Sequence, residues 1–142
     1  MKDKMVKVAY DIAVSAHAGQ MDKAGNDYIL HPITVAKNLD AEDEKAVALL
    51  HDVMEDSGIT AEQLQTAGIP EEVVVAVQAM THVEGEDYFS YIQRVKRNPL
   101  AKKVKLQDLK HNSDVTRIPR PTKKDFDRIK KYERAIAILM EV

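Results

Sequence analysis

An all-α fold is what this sequence predicts, on three observations. Apolar residues recur at three- and four-residue spacings along most of the chain, caps and breakers punctuate them, and neither a strand-like alternation nor an internal repeat appears. With 142 residues and 44% hydrophobic content, residues 1–142 are expected to form one domain around one core.

The first helix carries its apolar stripe on Val6, Tyr10, Ile12, Ala13 and Ala16, and Gly19 with the Gly25-Asn26-Asp27 cluster breaks it. The second is expected to start at His31-Pro32, because proline fits the first helical position, where no amide hydrogen bond is needed. Glu42 to Glu55 reads as the third. Ala46, Val47, Leu49, Leu50 and Val53 make it apolar around much of its circumference, hence central, and Ser57-Gly58 ends it. Thr60 with Gln63 gives a capping-box pattern for a short helix that Gly68 stops. Pro70 opens another, ending near Met80. After a loop from His82 to Glu86, Asp87 caps a helix through Arg97, and Asn98-Pro99 separates it from one running roughly from Leu100 to Asn112. Ile118-Pro119-Arg120-Pro121 marks an irregular crossing. Thr122 caps the last helix, whose apolar face is Phe126, Ile129, Tyr132, Ile136 and Leu139.

Composition excludes several classes of function. Without cysteine there are neither disulfides nor thiolate metal sites, so any metal must be held by the five histidines and 23 acids. The N-terminal segment lacks the unbroken apolar stretch of a signal peptide, and no apolar run approaches membrane-spanning length, so a cytoplasmic protein is expected, away from membranes. The net charge of −2 conceals an asymmetry: residues 1–90 carry 6 Lys+Arg against 17 Asp+Glu, net −11, and residues 91–142 carry 15 against 6, net +9. One half suits a cation and the other an anion, or the two attract each other across the fold, or between copies in a homo-oligomer. Nucleic acid is not the expected partner, because aromatics are only 5% of residues and no nucleic-acid motif accompanies the basic segment.

The chemistry concentrates in His51-Asp52-Val53-Met54-Glu55-Asp56. Four polar side chains near the end of a central, mostly apolar helix are costly unless something satisfies them, and a divalent cation would. On a continuous helix His51 and Glu55 share one face and Asp52 and Asp56 the neighbouring one. His31, at the mouth of its helix, and Asp108, on a later one, are the best remaining ligands. Two imidazoles and two carboxylates suit Mn²⁺, Fe²⁺ or a similar octahedral ion and leave positions for water, while Glu55 or Asp56 takes or returns a proton. The plainer account makes His51 a core histidine and the acids ordinary surface groups. Acids near a helix C-terminus oppose its dipole, which counts against that account. His17 and His111 are expected to pack or to support ligands, His82 to be exposed, Met54 to pack, Tyr132 to lie in the core, and most basic residues from Lys105 to Lys131 to be solvated.

The blocks Ala16-His17-Ala18-Gly19-Gln20, Lys23-Ala24-Gly25, Tyr28-Ile29-Leu30-His31-Pro32, Ala48 to Asp56 and Val104 to Asn112 stand in order across the first 112 residues. In this the chain resembles the HD superfamily of metal-dependent phosphohydrolases, most closely the hydrolase domain of RelA/SpoT proteins and the stand-alone small alarmone hydrolases. The resemblance implies an HD-type helical bundle and a stringent-response activity, removal of the 3′-pyrophosphate of ppGpp or pppGpp with a Mn²⁺-type ion. Its metal ligands fall on His31, His51, Asp52 and Asp108, its catalytic acids on Glu55 and Asp56, and its nucleotide contacts on Lys23 and Asn112. Asp22 stands where the family has an arginine that stacks on guanine, Asp27 where it commonly has proline, and Gln107 where it has alanine. An HD hydrolase of another purine nucleotide such as ppApp, or a nucleotide sensor without turnover, are the alternatives.

Overall fold

The computed structural model describes residues 2–22 and 24–141. Lys23, one of the two expected nucleotide contacts, lies outside the described residues. Nine α-helices run in order among them: α1 Lys2–Ala16, α2 Leu30–Lys37, α3 Glu42–Leu50, α4 Val53–Ser57, α5 Ala61–Thr66, α6 Glu71–Met80, α7 Tyr88–Lys96, α8 Pro99–Asn112 and α9 Lys123–Met140. A 3₁₀ turn, Val115–Arg117, precedes α9, and the only extended pairing among the described residues is an isolated bridge between Met21 and Asp27. The all-α expectation is met.

Helix α3 is the hub. It packs against α1, α2, α6 and α8, and Ala46, Val47, Ala48, Leu49 and Leu50 are all buried. Burial on every side of a helix requires apolar residues all round it, which is what its second half supplies. Its first turn is acidic, Glu42, Asp43 and Glu44, complementing the helix dipole, and Glu44 accepts an ion pair from Lys103 of α8 at 2.8 Å. Two further ion pairs also join the acidic and basic parts of the chain, Glu86 to Arg94 at 2.9 Å and Asp22 to Arg117 at 3.7 Å.

Local signals placed the elements well. Thr60 accepts the amide of Gln63 while the Gln63 side chain accepts the Thr60 amide, and Asp87 and Asn98 cap α7 and α8 through their side chains. Three expectations need correction. The third helix does not run to Glu55: it stops at Leu50, His51 and Asp52 form a turn, and α4 starts at Val53. The apolar stripes also overreach, since Tyr10 and Phe126 are exposed. Lastly, α8 begins at Pro99, with proline in the first turn and Asn98 as its cap.

Candidate functional site

Three helices bring the cluster together. His31 projects from the first turn of α2, His51 from the turn that closes α3, and Asp108 from the third turn of α8; all three side chains are buried. One ligand atom from each lies within 4.8 Å of the other two. The His31 Nε2 and His51 Nε2 atoms both point at Asp108 Oδ1, at 2.7 and 3.2 Å. Asp52 Oδ2 stands 3.0 Å from His51 Nε2 and accepts a hydrogen bond from the Tyr28 hydroxyl. Two imidazole nitrogens and the Asp108 carboxylate therefore meet, with the Asp52 carboxylate against His51 on one side, a donor set that suits a divalent ion.

His51 and Asp52 form the turn that breaks the chain between α3 and α4. Asp52, at φ −106° and ψ −4°, precedes α4, and its Oδ2 approaches His51 Nε2. The break also removes the dipole argument made from sequence. Glu55 and Asp56 occupy the first turn of α4, where negative charge is favoured.

Charge is heavily compensated. Burial alone would push His51 down, but the Asp52 and Asp108 carboxylates more than reverse this and hold it well above its ordinary range. For Asp108, burial is outweighed by Lys105, His51 and hydrogen bonds from both histidines, leaving it well below the usual carboxylate range. Asp52 is brought down to about 2 against its own burial, by His51 and the Tyr28 hydrogen bond. The opposite happens to Asp56, which partial burial and the Asp52 and Glu55 charges raise.

Around the cluster opens a cavity of about 540 Å³ that includes Asp52, Glu55, Lys105, Asp108, Asn112 and Lys131 in its wall. Glu55 faces it and is fixed by the amide of His82, which its Oε1 accepts at 3.0 Å. Asp56 is not part of this lining; its amide donates to the Asp52 carbonyl at 2.9 Å. Asn112 donates from Nδ2 to Asp108 Oδ1 at 3.2 Å, one helical turn along α8.

Several of these residues were not expected. Lys105 is no solvated surface lysine: its Nζ bonds Asp108 Oδ2 at 2.8 Å, 5.3 Å from the Tyr91 ring centroid. The i, i+3 spacing to Asp108 was the available signal. Tyr28 likewise lies three residues before His31, on the turn leading into α2. His82 lines the cavity instead of standing free, and Tyr132 does so while also packing against the core. His17 and His111 behave as supports. His111 stacks on His31 with centroids 4.9 Å apart, its Nδ1 2.6 Å from that of His31, and His17 is buried with its ring 4.9 Å from Tyr28.

A family model described as an HD domain matches residues 9–117. The chain belongs to the HD-domain family. Among proteins similar to this HD domain, a probable GTP pyrophosphokinase of Mycobacterium leprae is 33% identical over 133 residues, 84% of this chain and 17% of that protein. A guanosine-3′,5′-bis(diphosphate) 3′-pyrophosphohydrolase of Haemophilus influenzae is 32% identical over 128 residues, 80% of this chain and 19% of that one. The chain thus spans less than a fifth of the length of these relatives. A solved structure described as a metazoan ortholog of SpoT that hydrolyzes ppGpp superposes with a TM-score of 0.77 at 21% identity, over 95% of this chain and 84% of the other, which establishes the shared fold. No helix among the described residues is long and apolar enough to cross a membrane.

Proposed function

We propose that this HD domain hydrolyses (p)ppGpp, replacing the 3′-pyrophosphate by water to give GDP or GTP and free pyrophosphate. The observation that carries the reading is the convergence of His31, His51 and Asp108, with Asp52 beside them, on a cavity walled by both acids and lysines. The relatives named as ppGpp 3′-pyrophosphohydrolases supply the substrate class, a phosphorylated guanine nucleotide. Such a substrate is a small soluble signal, consistent with a cytoplasmic enzyme of the stringent response.

His31, His51, Asp52 and Asp108 would hold a divalent cation, Mn²⁺ in this reading. When bound, it supplies Lewis-acid polarisation of a phosphoryl oxygen and acidifies water. The protein's own groups do the rest. Glu55, held by the His82 amide at the cavity wall, takes the proton of the attacking water. Asp56, raised above the ordinary carboxylate range though outside the cavity lining, receives or returns it in this reading. Lys131 and Lys105 offset the charge of the pyrophosphate, and Asn112 gives an amide to the cavity while steadying Asp108. Tyr28 fixes the orientation of Asp52. Lys23 completes the nucleotide contacts on the strength of the resemblance.

Incubating the purified protein with ppGpp, ppApp and simple nucleotides, with Mn²⁺ or with chelator, tests this directly. Metal-dependent pyrophosphate release from ppGpp is expected. Cleavage of ppApp alone would discard the substrate and keep the chemistry, and silence on every nucleotide would refute the hydrolase reading.

A further inference from the structure

The segment between α6 and α7 holds Glu55 by a backbone amide, and one side chain outside the cavity governs its shape. Helix α6 ends at Met80, leaving its last carbonyls without helical partners. Arg94 of α7 supplies donors for them. Its Nη1 donates to the Gln78 and Ala79 carbonyls at 3.4 and 3.0 Å, and its Nη2 to the Thr81 carbonyl at 2.9 Å. The other two hydrogens go to Glu86, from Nε to Oε2 at 3.0 Å and from Nη2 to Oε1 at 2.9 Å. All five N–H donors are thus used, in a planar fork that ties the end of α6 to the far end of the loop.

Within that span the loop closes on itself. Val83 donates its amide to Glu86 Oε1 at 3.2 Å, and the Glu86 amide donates to the Val83 carbonyl at 2.9 Å, a turn that carries Gly85 at φ +83°. His82 stands between Thr81, held by Arg94, and Val83, held by Glu86, and its amide donates to Glu55 Oε1 at 3.0 Å. Among the described residues no other hydrogen bond reaches the Glu55 carboxylate, so this amide sets its direction. The His82 ring meets the buried Tyr91 edge-on at 5.2 Å, and Arg94 Cζ lies 5.4 Å from the centre of that same tyrosine. Glu86 is itself in the cavity wall, where a free carboxylate would repel pyrophosphate; its hydrogen bonds to Arg94 hold it down to about 2 and occupy both oxygens.

We infer that Arg94 is a positioning residue: through Thr81, Glu86 and the His82 amide it sets where the Glu55 carboxylate stands. The inference rests on the reading of Glu55 as the base and extends that reading to a side chain outside the cavity lining. A base works only within hydrogen-bond reach of the water it deprotonates, and a displacement of about 1 Å can cost about 10²-fold in rate. Lysine at this position would keep the charge, but its three donors spring from one nitrogen and cannot bridge Glu86 and three carbonyls together.

Arg94→Lys and Glu86→Gln test this with two readouts. The first is the exchange rate of the His82 amide, followed by NMR on the metal-free protein. It should be slow in the unmodified protein and faster by about tenfold or more in both variants, and in Glu55→Ala, while core amides such as that of Val77 stay protected. The second is pyrophosphate release from ppGpp with Mn²⁺, where each variant should lose about tenfold or more in kcat with KM within about twofold. In a Glu55→Gln background neither substitution should lower kcat further, because the group being positioned is already gone. Glu86→Gln keeps one acceptor oxygen and the length of the loop, so it decides the matter where Arg94→Lys fails to fold. Unchanged His82 exchange, kcat losses that multiply with that of Glu55→Gln, or an effect confined to KM would each overturn the proposal. A protein that cleaves no nucleotide refutes the hydrolase reading, and the exchange rates still decide whether Arg94 holds the amide against Glu55.

Discussion

Loading Mn²⁺ should expel about one proton per ion at neutral pH, and the hydrogen bonds of the cluster fix that count. Both histidines present Nε2 to Asp108 Oδ1, and a carboxylate oxygen so far below its ordinary range only accepts, so each Nε2 carries a hydrogen. The other nitrogen of His51, Nδ1, lies against the Ala48 carbonyl, which also only accepts. His51 is therefore doubly protonated, in agreement with its raised pKa. His31 differs, because its Nδ1 meets His111 Nδ1 and can accept from it; His111 itself is pushed down to about 4, first by burial and then by Arg117. Exposing Nε2 of His31 needs only a tautomer shift passed to His111, whereas exposing Nε2 of His51 sends one proton to solvent. Metal affinity should accordingly rise about tenfold per pH unit while His51 remains protonated without metal, roughly 1.4 kcal/mol for each unit. Calorimetry at pH 7 in buffers of different ionisation enthalpy measures the proton number, and repeating it at pH 6 gives the slope. A proton number near zero together with an affinity indifferent to pH would refute the assignment.

Three other outcomes follow from the same geometry. Glu55→Gln should lower pyrophosphate release by roughly 10²-fold or more while leaving Mn²⁺ binding intact, whereas Asp108→Ala should abolish the binding; full activity in Glu55→Gln would remove Glu55 from proton transfer. Lys105→Met takes the ammonium partner from Asp108 Oδ2 and should destabilise the metal-free protein by about 3 kcal/mol, a fall in Tm on the order of 10 °C that Mn²⁺ partly restores. Because Asp52 titrates at about 2 in the folded protein, below the ordinary value near 4, its contribution is complete above about pH 4 and is lost as pH falls toward 2. That contribution is on the order of 2 kcal/mol, so denaturant midpoints of the metal-free protein should drop across this window more steeply than those of Asp52→Asn.

How far the sequence could be read depended on whether a feature was local. Capping pairs such as Thr60 with Gln63 and stops such as Gly58 act within one turn, so the element boundaries they set were visible. His31, His51 and Asp108 were also recoverable, since polar residues with poor local reasons to exist stand out against patterned helices. The break after Leu50 was not, because the apolar pattern continues through Val53 and nothing in the residues demands a stop. Lys105 was misread for a similar reason: a lysine in a basic segment looks solvated until a tertiary partner, Asp108, draws it inward. The Asp22–Arg117 contact joins residues far apart in the chain, and no periodicity within a helix encodes such a pairing.

Tyr28 stands in the wall of the cavity while its hydroxyl grips Asp52. Whatever seats against that ring on one side bears on a carboxylate of the ion-binding cluster on the other. Reciprocity then constrains the enzyme: if a nucleotide tightens the hold on the ion by some factor, the ion must tighten the hold on the nucleotide by the same one. Under the proposed function, release of the spent nucleotide and the grip on the ion would be coupled through Tyr28.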